Sequence, residues 1–141
     1  PSYGCHYQEG QGFYDYIKEI TKEYSSKYDI DAHTILHLFM LYGTRANEVL
    51  DITLENPQLK SKIHKDYEDI RAQIVYAIRK ESAYTVDDII KRRTSIGLCT
   101  NKYDADIIKT IKYHLDEEFD LLGRYRDKVL QEVLLGDYNY R

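Results

Sequence analysis

The sequence predicts an all-α protein, a single compact helical domain of about six helices, and three observations carry that expectation. Only 7 glycines and 2 prolines interrupt 141 residues, too few for the dense turns of a β-sandwich. Apolar residues return every three and four positions through most of the chain, the spacing of one helix face. No stretch of useful length alternates apolar with polar residues as a half-buried strand does. The helical domain is expected over residues 13–136, after a polar, glycine-containing linker remnant at 1–12 and before a short tail at 137–141.

The first helix follows from Phe13, Tyr16, Ile17, Ile20 and Tyr24 on one side, with Asp15, Lys18, Glu19 and Lys22 on the other, and runs to about Lys27. A second starts after Asp31, whose carboxylate suits an N-cap. It carries Ile35, Leu36, Leu38, Phe39, Met40 and Leu41, apolar on most sides, and so is expected at the centre of the fold. In "LYGTRANEVL" Gly43 fits a left-handed residue past a helix end and Thr44 fits the cap of the next, which spans Arg45 to about Glu55. Pro57 disfavours a helical Asn56 and places a loop there. Ile63, Tyr67, Ile70, Ile74, Ala77 and Ile78 then mark a fourth helix lasting to about Ser82 or Ala83. Thr85 reads as the N-cap of a fifth, with Asp87 and Asp88 where the helix dipole favours negative charge, and this helix fades near Gly97. From Asp104 a long amphipathic run passes through Ile108, Ile111, Leu115, Phe119, Leu122, Val129 and Val133 to Gly136, with Gly123 a kink or packing point.

The totals narrow the function classes. A hydrophobic share of 43% with 31% charged residues suits a folded domain rather than a disordered segment. A formal net charge of -4 argues against a dedicated nucleic-acid binder. Most of the 15 tyrosines should sit at the rim of a core with the hydroxyl at a polar neighbour. Cys5 and Cys99 form neither a disulfide framework nor a C-x-x-C site, so a reducing, cytoplasmic setting is the simpler one. The N-terminal "PSYGCHYQEG" lacks the regions of a signal peptide and no apolar run is long enough to span a membrane, while a start at Pro1 reads as a fragment of a longer chain.

The chemistry-bearing candidates concentrate in "YAIRKESAYTVDDIIKRRTSIGL" at 76–98. Asp87 with Lys91 and Asp88 with Arg92 are i, i+4 pairs in the favourable order, which accounts for part of the charge. Adjacent Arg92 and Arg93 at the end of a short helix are left over, and a guanidinium clamp to Glu81 or to another domain is the sharper reading of them. His33 and His37 have ligand spacing but lack the glutamate of H-E-x-x-H and a third ligand nearby, so no metal site is expected. Cys5 beside His6 is treated as idle. "KRRT" as a DNA patch is opposed by the aspartates that open its helix. Asp116, Glu117, Glu118 and Asp120 lie on the polar side of the last helix and are expected to be solvated.

The same stretch resembles the signature of the C-terminal helical domain of FAD-dependent glycerol-3-phosphate dehydrogenases and the related α-glycerophosphate oxidases, and "LYGTRA" at 41–46 resembles that domain's earlier corner motif. Tyr76, Ala77, Arg79, Glu81, Asp88, Arg92, Arg93, Thr94 and Gly97 take the family's places, with Gly43, Thr44 and Arg45 at the corner. Ser82 departs from a usual bulky apolar residue, and Ser95 from an often basic one. The resemblance implies a parent enzyme that oxidises sn-glycerol 3-phosphate to dihydroxyacetone phosphate, passing a hydride to FAD and electrons on to quinone or oxygen. It implies that flavin and substrate are held by a preceding domain, the implied partner of this one, and it leaves a seat of the parent on a membrane surface open. The chain carries no G-x-G-x-x-G, so no cofactor-binding, catalytic or metal-binding residue is expected in it, and its role would be structural or regulatory. The alternative is a free-standing all-α interaction module without catalysis.

Overall fold

A computed structural model describes residues 11–94, 96 and 105–136, and among them every regular element is a helix. In chain order these are α1 (Gln11–Tyr28), α2 (Ala32–Tyr42), α3 (Ala46–Ile52), α4 (Arg71–Glu81), α5 (Val86–Arg93) and α6 (Ala105–Gly136), with 3-10 turns at Gly43–Arg45 and Pro57–Lys60. The all-α expectation holds. Gln11 and Gly12 already belong to α1, while the rest of the expected linker, the expected tail and the joint between Gly97 and Asp104 lie outside the described residues.

α4 is the axis of the fold, because every residue from Ala72 to Ile78 is buried. A helix covered on all sides must have neighbours on all sides. One face contributes Val75 and Tyr76 to a core with Tyr28, Ile35, Leu38, Val49 and Leu50 from the first three helices. The other sends Ile74, Ala77 and Ile78 into a second core with Ile89, Ile90, Ile96, Ile107, Ile111 and Leu115. The helix expected to be central, α2, is not: Leu36, Met40 and Leu41 are exposed, Met40 at 75%. An all-apolar helix and a buried one look alike in sequence; α4 is less apolar but is enclosed because its polar Gln73 is satisfied internally.

The fourth helix begins at Arg71, not near Ile63. Residues 61–70 double back instead, with the Ile63 amide donating to Asp69 at 2.9 Å, the Arg71 amide donating to Ser61 at 2.9 Å, and one isolated bridge between Lys62 and Ile70. The Gln73 carbonyl oxygen accepts from the Ile70 amide at 2.8 Å, which caps α4 and fixes its start. Ile63 and Ile70 are buried from within this loop, so their spacing imitated a helix face without a helix.

Gly43 has φ 58° and ψ -130°, a region that side chains disfavour, and its amide donates to Phe39. The chain then continues as a 3-10 turn, so Thr44 lies inside that turn, and Arg45, which makes no side-chain cap bond, stands directly before α3. The third helix ends at Ile52, short of Glu55. Asp31 and Thr85 do cap α2 and α5, accepting from His33 and Asp88 at 3.0 and 3.1 Å.

α6 packs its early residues Ile107, Ile111 and Leu115 into the second core, then leaves it. Nothing among the described residues comes within 4 Å of a Cβ built on Gly123, and α6 runs through it as one helix. No described helix is long and apolar enough to cross a membrane.

Candidate functional site

The corner at the end of α2 and the middle of α4, 31 residues apart in sequence, meet in space. Arg45 donates from Nε to the Tyr76 hydroxyl at 2.9 Å, and its guanidinium carbon lies 5.3 Å from the centre of the Tyr76 ring. The hydroxyl in turn donates to Glu48 Oε1 at 3.1 Å. The other end of the guanidinium stands 3.7 Å from Glu81, whose side chain is largely buried while that of Arg45 is half exposed. Tyr42 closes the cluster edge-on to Tyr76, with ring centres 5.6 Å apart. Burial raises the pKa of both tyrosines above the usual phenol range, with Glu81 adding to the effect at Tyr42 and Arg45 opposing it at Tyr76. Both rings stay neutral, so Tyr76 can donate and accept at once.

Three of the expected residues, Arg45, Tyr76 and Glu81, thus form one site. Tyr76→Phe keeps the ring and removes the shared hydroxyl, and should lower the unfolding free energy by about 1 to 2 kcal/mol in urea titrations. A curve unchanged from wild type would mean that Arg45 and Glu48 repair their bonding without it.

Arg79, three residues along α4, serves a different cluster. It donates from Nε and Nη2 to the two oxygens of Glu118 at 2.7 and 3.2 Å, and from Nη1 to both oxygens of Glu55 at 2.8 and 3.0 Å. One guanidinium therefore joins the turn after α3, α4 and α6 with paired, charge-assisted bonds. Glu118, expected to be solvated, is 9% exposed. No local signal marks it, because its partner lies 39 residues away.

Around this bridge a cleft of about 180 Å³ is lined by Gln58, Tyr113, His114 and Glu117 among others. His114 is 4% exposed, and among the described residues its Nε2 has no hydrogen-bond partner. Burial, helped by Arg71 and opposed by Glu118, pushes its pKa down to about 4. An unfolded histidine takes up its proton near pH 6.5. Between those values the unfolded chain binds a proton that the folded chain refuses, so stability is full above about pH 6.5 and falls as the pH drops toward 4. We expect a loss of about 3 kcal/mol across that window, and a flatter profile for His114→Gln.

Asp88 contributes its backbone to the α5 cap, and Thr94 caps the far end, accepting from Ile96 at 3.3 Å and donating to Ile90 at 2.9 Å. The side chains of Arg92 and Arg93 lie outside the described residues, and the carboxylate expected for them, Glu81, faces Arg45. His37, the metal candidate, stands 2.9 Å from Asp69, which is fully buried and also accepts from Gln73 at 2.9 Å. Among the described residues no cluster of three or more histidine, cysteine or acidic side chains could hold a metal ion.

These contacts tie α2, α3, α4 and α6 to one another. A family model described as the C-terminal domain of alpha-glycerophosphate oxidase matches residues 6–121. The chain is 36% identical over 103 residues to a glycerol-3-phosphate dehydrogenase of Synechocystis, covering 73% of this chain and 19% of that protein. It is 24% identical over 131 residues to a glycerol-3-phosphate dehydrogenase of Mycobacterium leprae, covering 87% of this chain and 22% of that one. The chain spans about a fifth of the length of these curated relatives. No solved structure matches it.

Proposed function

Because the chain belongs to the family of the C-terminal domain of alpha-glycerophosphate oxidase, we propose that it is the helical docking domain of an FAD-dependent enzyme that oxidises sn-glycerol 3-phosphate to dihydroxyacetone phosphate. The observation that carries this is the family match, which takes in both charge clusters within residues 6–121. The described residues themselves do not fit FAD. They contain no strand and hence no βαβ unit for a glycine-rich pyrophosphate turn, and the cleft at Arg79 encloses only about 180 Å³, below the size of ordinary ligand pockets. Flavin, substrate and electron acceptor belong to the remaining part of the protein in this reading.

The surface that meets that part is the outer side of α1 and α2. A groove of about 410 Å³ there is lined by Tyr14, Ile17, Thr21, Ala32 and Leu36, next to exposed Met40 and Leu41. Apolar surface of this kind, rimmed by Lys18 and Lys22, is suited to a covering partner. The paired Arg45 and Arg79 clusters brace the α-bundle behind it.

The test is made in the full-length protein. Leu36→Asp with Met40→Asp should lower glycerol-3-phosphate-dependent reduction of an artificial acceptor at least tenfold and weaken flavin retention, with helicity by circular dichroism kept. Full activity in that variant would exclude this face as the docking surface. A full-length wild type without activity on glycerol 3-phosphate would overturn the assignment of substrate.

A further inference from the structure

The first half of α6 carries a polar stripe as well as the apolar one it buries. Asp106, Lys109, Thr110, Tyr113 and His114 follow one another at three- and four-residue steps, which sets them side by side on one face. All but His114 line a cleft of about 430 Å³, completed by Arg71, the first residue of α4, and by Gln58 of the Pro57–Lys60 turn. That is the size of an ordinary small-molecule site. Gln58 and Tyr113 also border the smaller cleft that reaches Arg79, so the two spaces adjoin. Two buried nitrogens at this joint lack a partner among the described residues, Arg71 Nε and His114 Nε2. The His114 side chain is 4% exposed, packs edge-on against the Tyr113 ring with centres 5.1 Å apart, and lies near enough to Arg71 to feel its charge. Buried nitrogens without a partner are rare in folded proteins. Two of them beside one cleft mark a place where oxygen atoms from outside the chain can be held.

The charges divide the space into two ends. In the larger cleft Arg71 and Lys109 outnumber Asp106, and in the smaller one Glu55, Glu117 and Glu118 outnumber Arg79. An anionic group is drawn to the first end and repelled from the second. Hydroxyl groups suit the second end, where carboxylates accept and the amides of Asn56 and Gln58 both donate and accept. We propose that this joint binds a small sugar phosphate, with the phosphate on Arg71 and Lys109 and the sugar hydroxyls along Gln58 and Tyr113 toward Glu117. The planar fork of Arg71 matches two phosphate oxygens, and its Nε gives up no bond within the chain to reach them. Lys109 supplies a second positive charge and the Thr110 hydroxyl a further donor. Because the ligand touches both α4 and α6, its binding stabilises the folded chain.

Nuclear magnetic resonance titration of the chain decides this, at constant ionic strength and about pH 7.5, where a phosphomonoester is dianionic. The probes are inorganic phosphate, glucose 6-phosphate, glucose and acetate. Inorganic phosphate should give saturable shifts at Arg71, Thr110, Tyr113 and the His114 ring, glucose 6-phosphate should bind more tightly, and glucose and acetate should give none. Arg71→Gln should weaken both phosphates at least tenfold, as expected for losing a bond to a charged group. Lys109→Gln, a change at an exposed position, should weaken both as well and decides the matter if Arg71→Gln fails to fold. Glu117→Gln should weaken glucose 6-phosphate and leave inorganic phosphate no weaker. The proposal is overturned if no shift saturates by about 20 mM, where even millimolar affinity would show. Shifts that acetate reproduces, or that survive Lys109→Gln at full strength, overturn it too, as does glucose 6-phosphate binding no more tightly than inorganic phosphate. None of these outcomes bears on the α1–α2 docking face.

Discussion

Arg79→Ala should be the most damaging single charge removal, costing about 2 to 3 kcal/mol of unfolding free energy and lowering the melting temperature by roughly 3 to 5 °C for each of them. The side chain makes paired bonds to two glutamates, and Glu118 keeps only 12% of its side-chain surface in water. Deleting the arginine strands that carboxylate in a poorly solvated place, which costs more than the pair itself contributes. The full figure for a buried pair is not reached, because Arg79 is 31% exposed and Glu55 52%, so water re-enters on one side. Arg79→Lys should recover only part of the loss, since an ammonium cannot fork to both carboxylates. Glu118→Gln combined with Arg79→Ala should cost less than the sum of the single changes, by a coupling of about 1 to 2 kcal/mol in a urea-denaturation cycle. Strict additivity would show the two side chains to be independent despite 2.7 Å of separation.

Ile111→Ala is the matching experiment on apolar packing and should cost about 3 kcal/mol, within the range for removing a buried branched side chain and leaving its space empty. Ile111 is fully buried where α6 crosses the second core. Val129→Ala, on the same helix but 54% exposed, should change the unfolding free energy of the monomer by less than about 0.5 kcal/mol. The contrast tests whether α6 is anchored only through its first half. Equal losses at the two sites would mean that the second half is packed within the monomer after all.

Much of the fold was legible because it depends on local rules. Asp31 and Thr85 announced two helix starts, Gly43 announced the corner, and three-four spacing announced the bodies of α1 and α6. The misreading of the fourth helix has one cause. The loop at 61–70 carries apolar residues at helical intervals because its inward-facing positions happen to recur that way, and only the Gln73 cap and the Asp69 bonds reveal where the helix begins. Periodicity reports which residues face a core and cannot say whether a helix or a doubled-back loop carries them there.

The candidate site was legible as a set of residues and not as an arrangement. Arg45, Tyr76 and Glu81 were singled out together, and they do meet, yet the sequence offered no means of dividing Arg79 from them or of finding Glu55 and Glu118 as its partners. Tyr76 and Arg79 stand three apart on α4 and still serve different neighbours, since α3 and α6 approach that helix from different sides.

The sequence by itself determined the class of fold, most helix limits and the family, because capping, spacing and motif are properties of short stretches. Which helix is enclosed, which glutamate loses its water and which half of α6 is left bare were decided only in three dimensions. Burial is a property of what lies opposite a residue, and the residues opposite each other here are separated by 23 to 39 positions of chain.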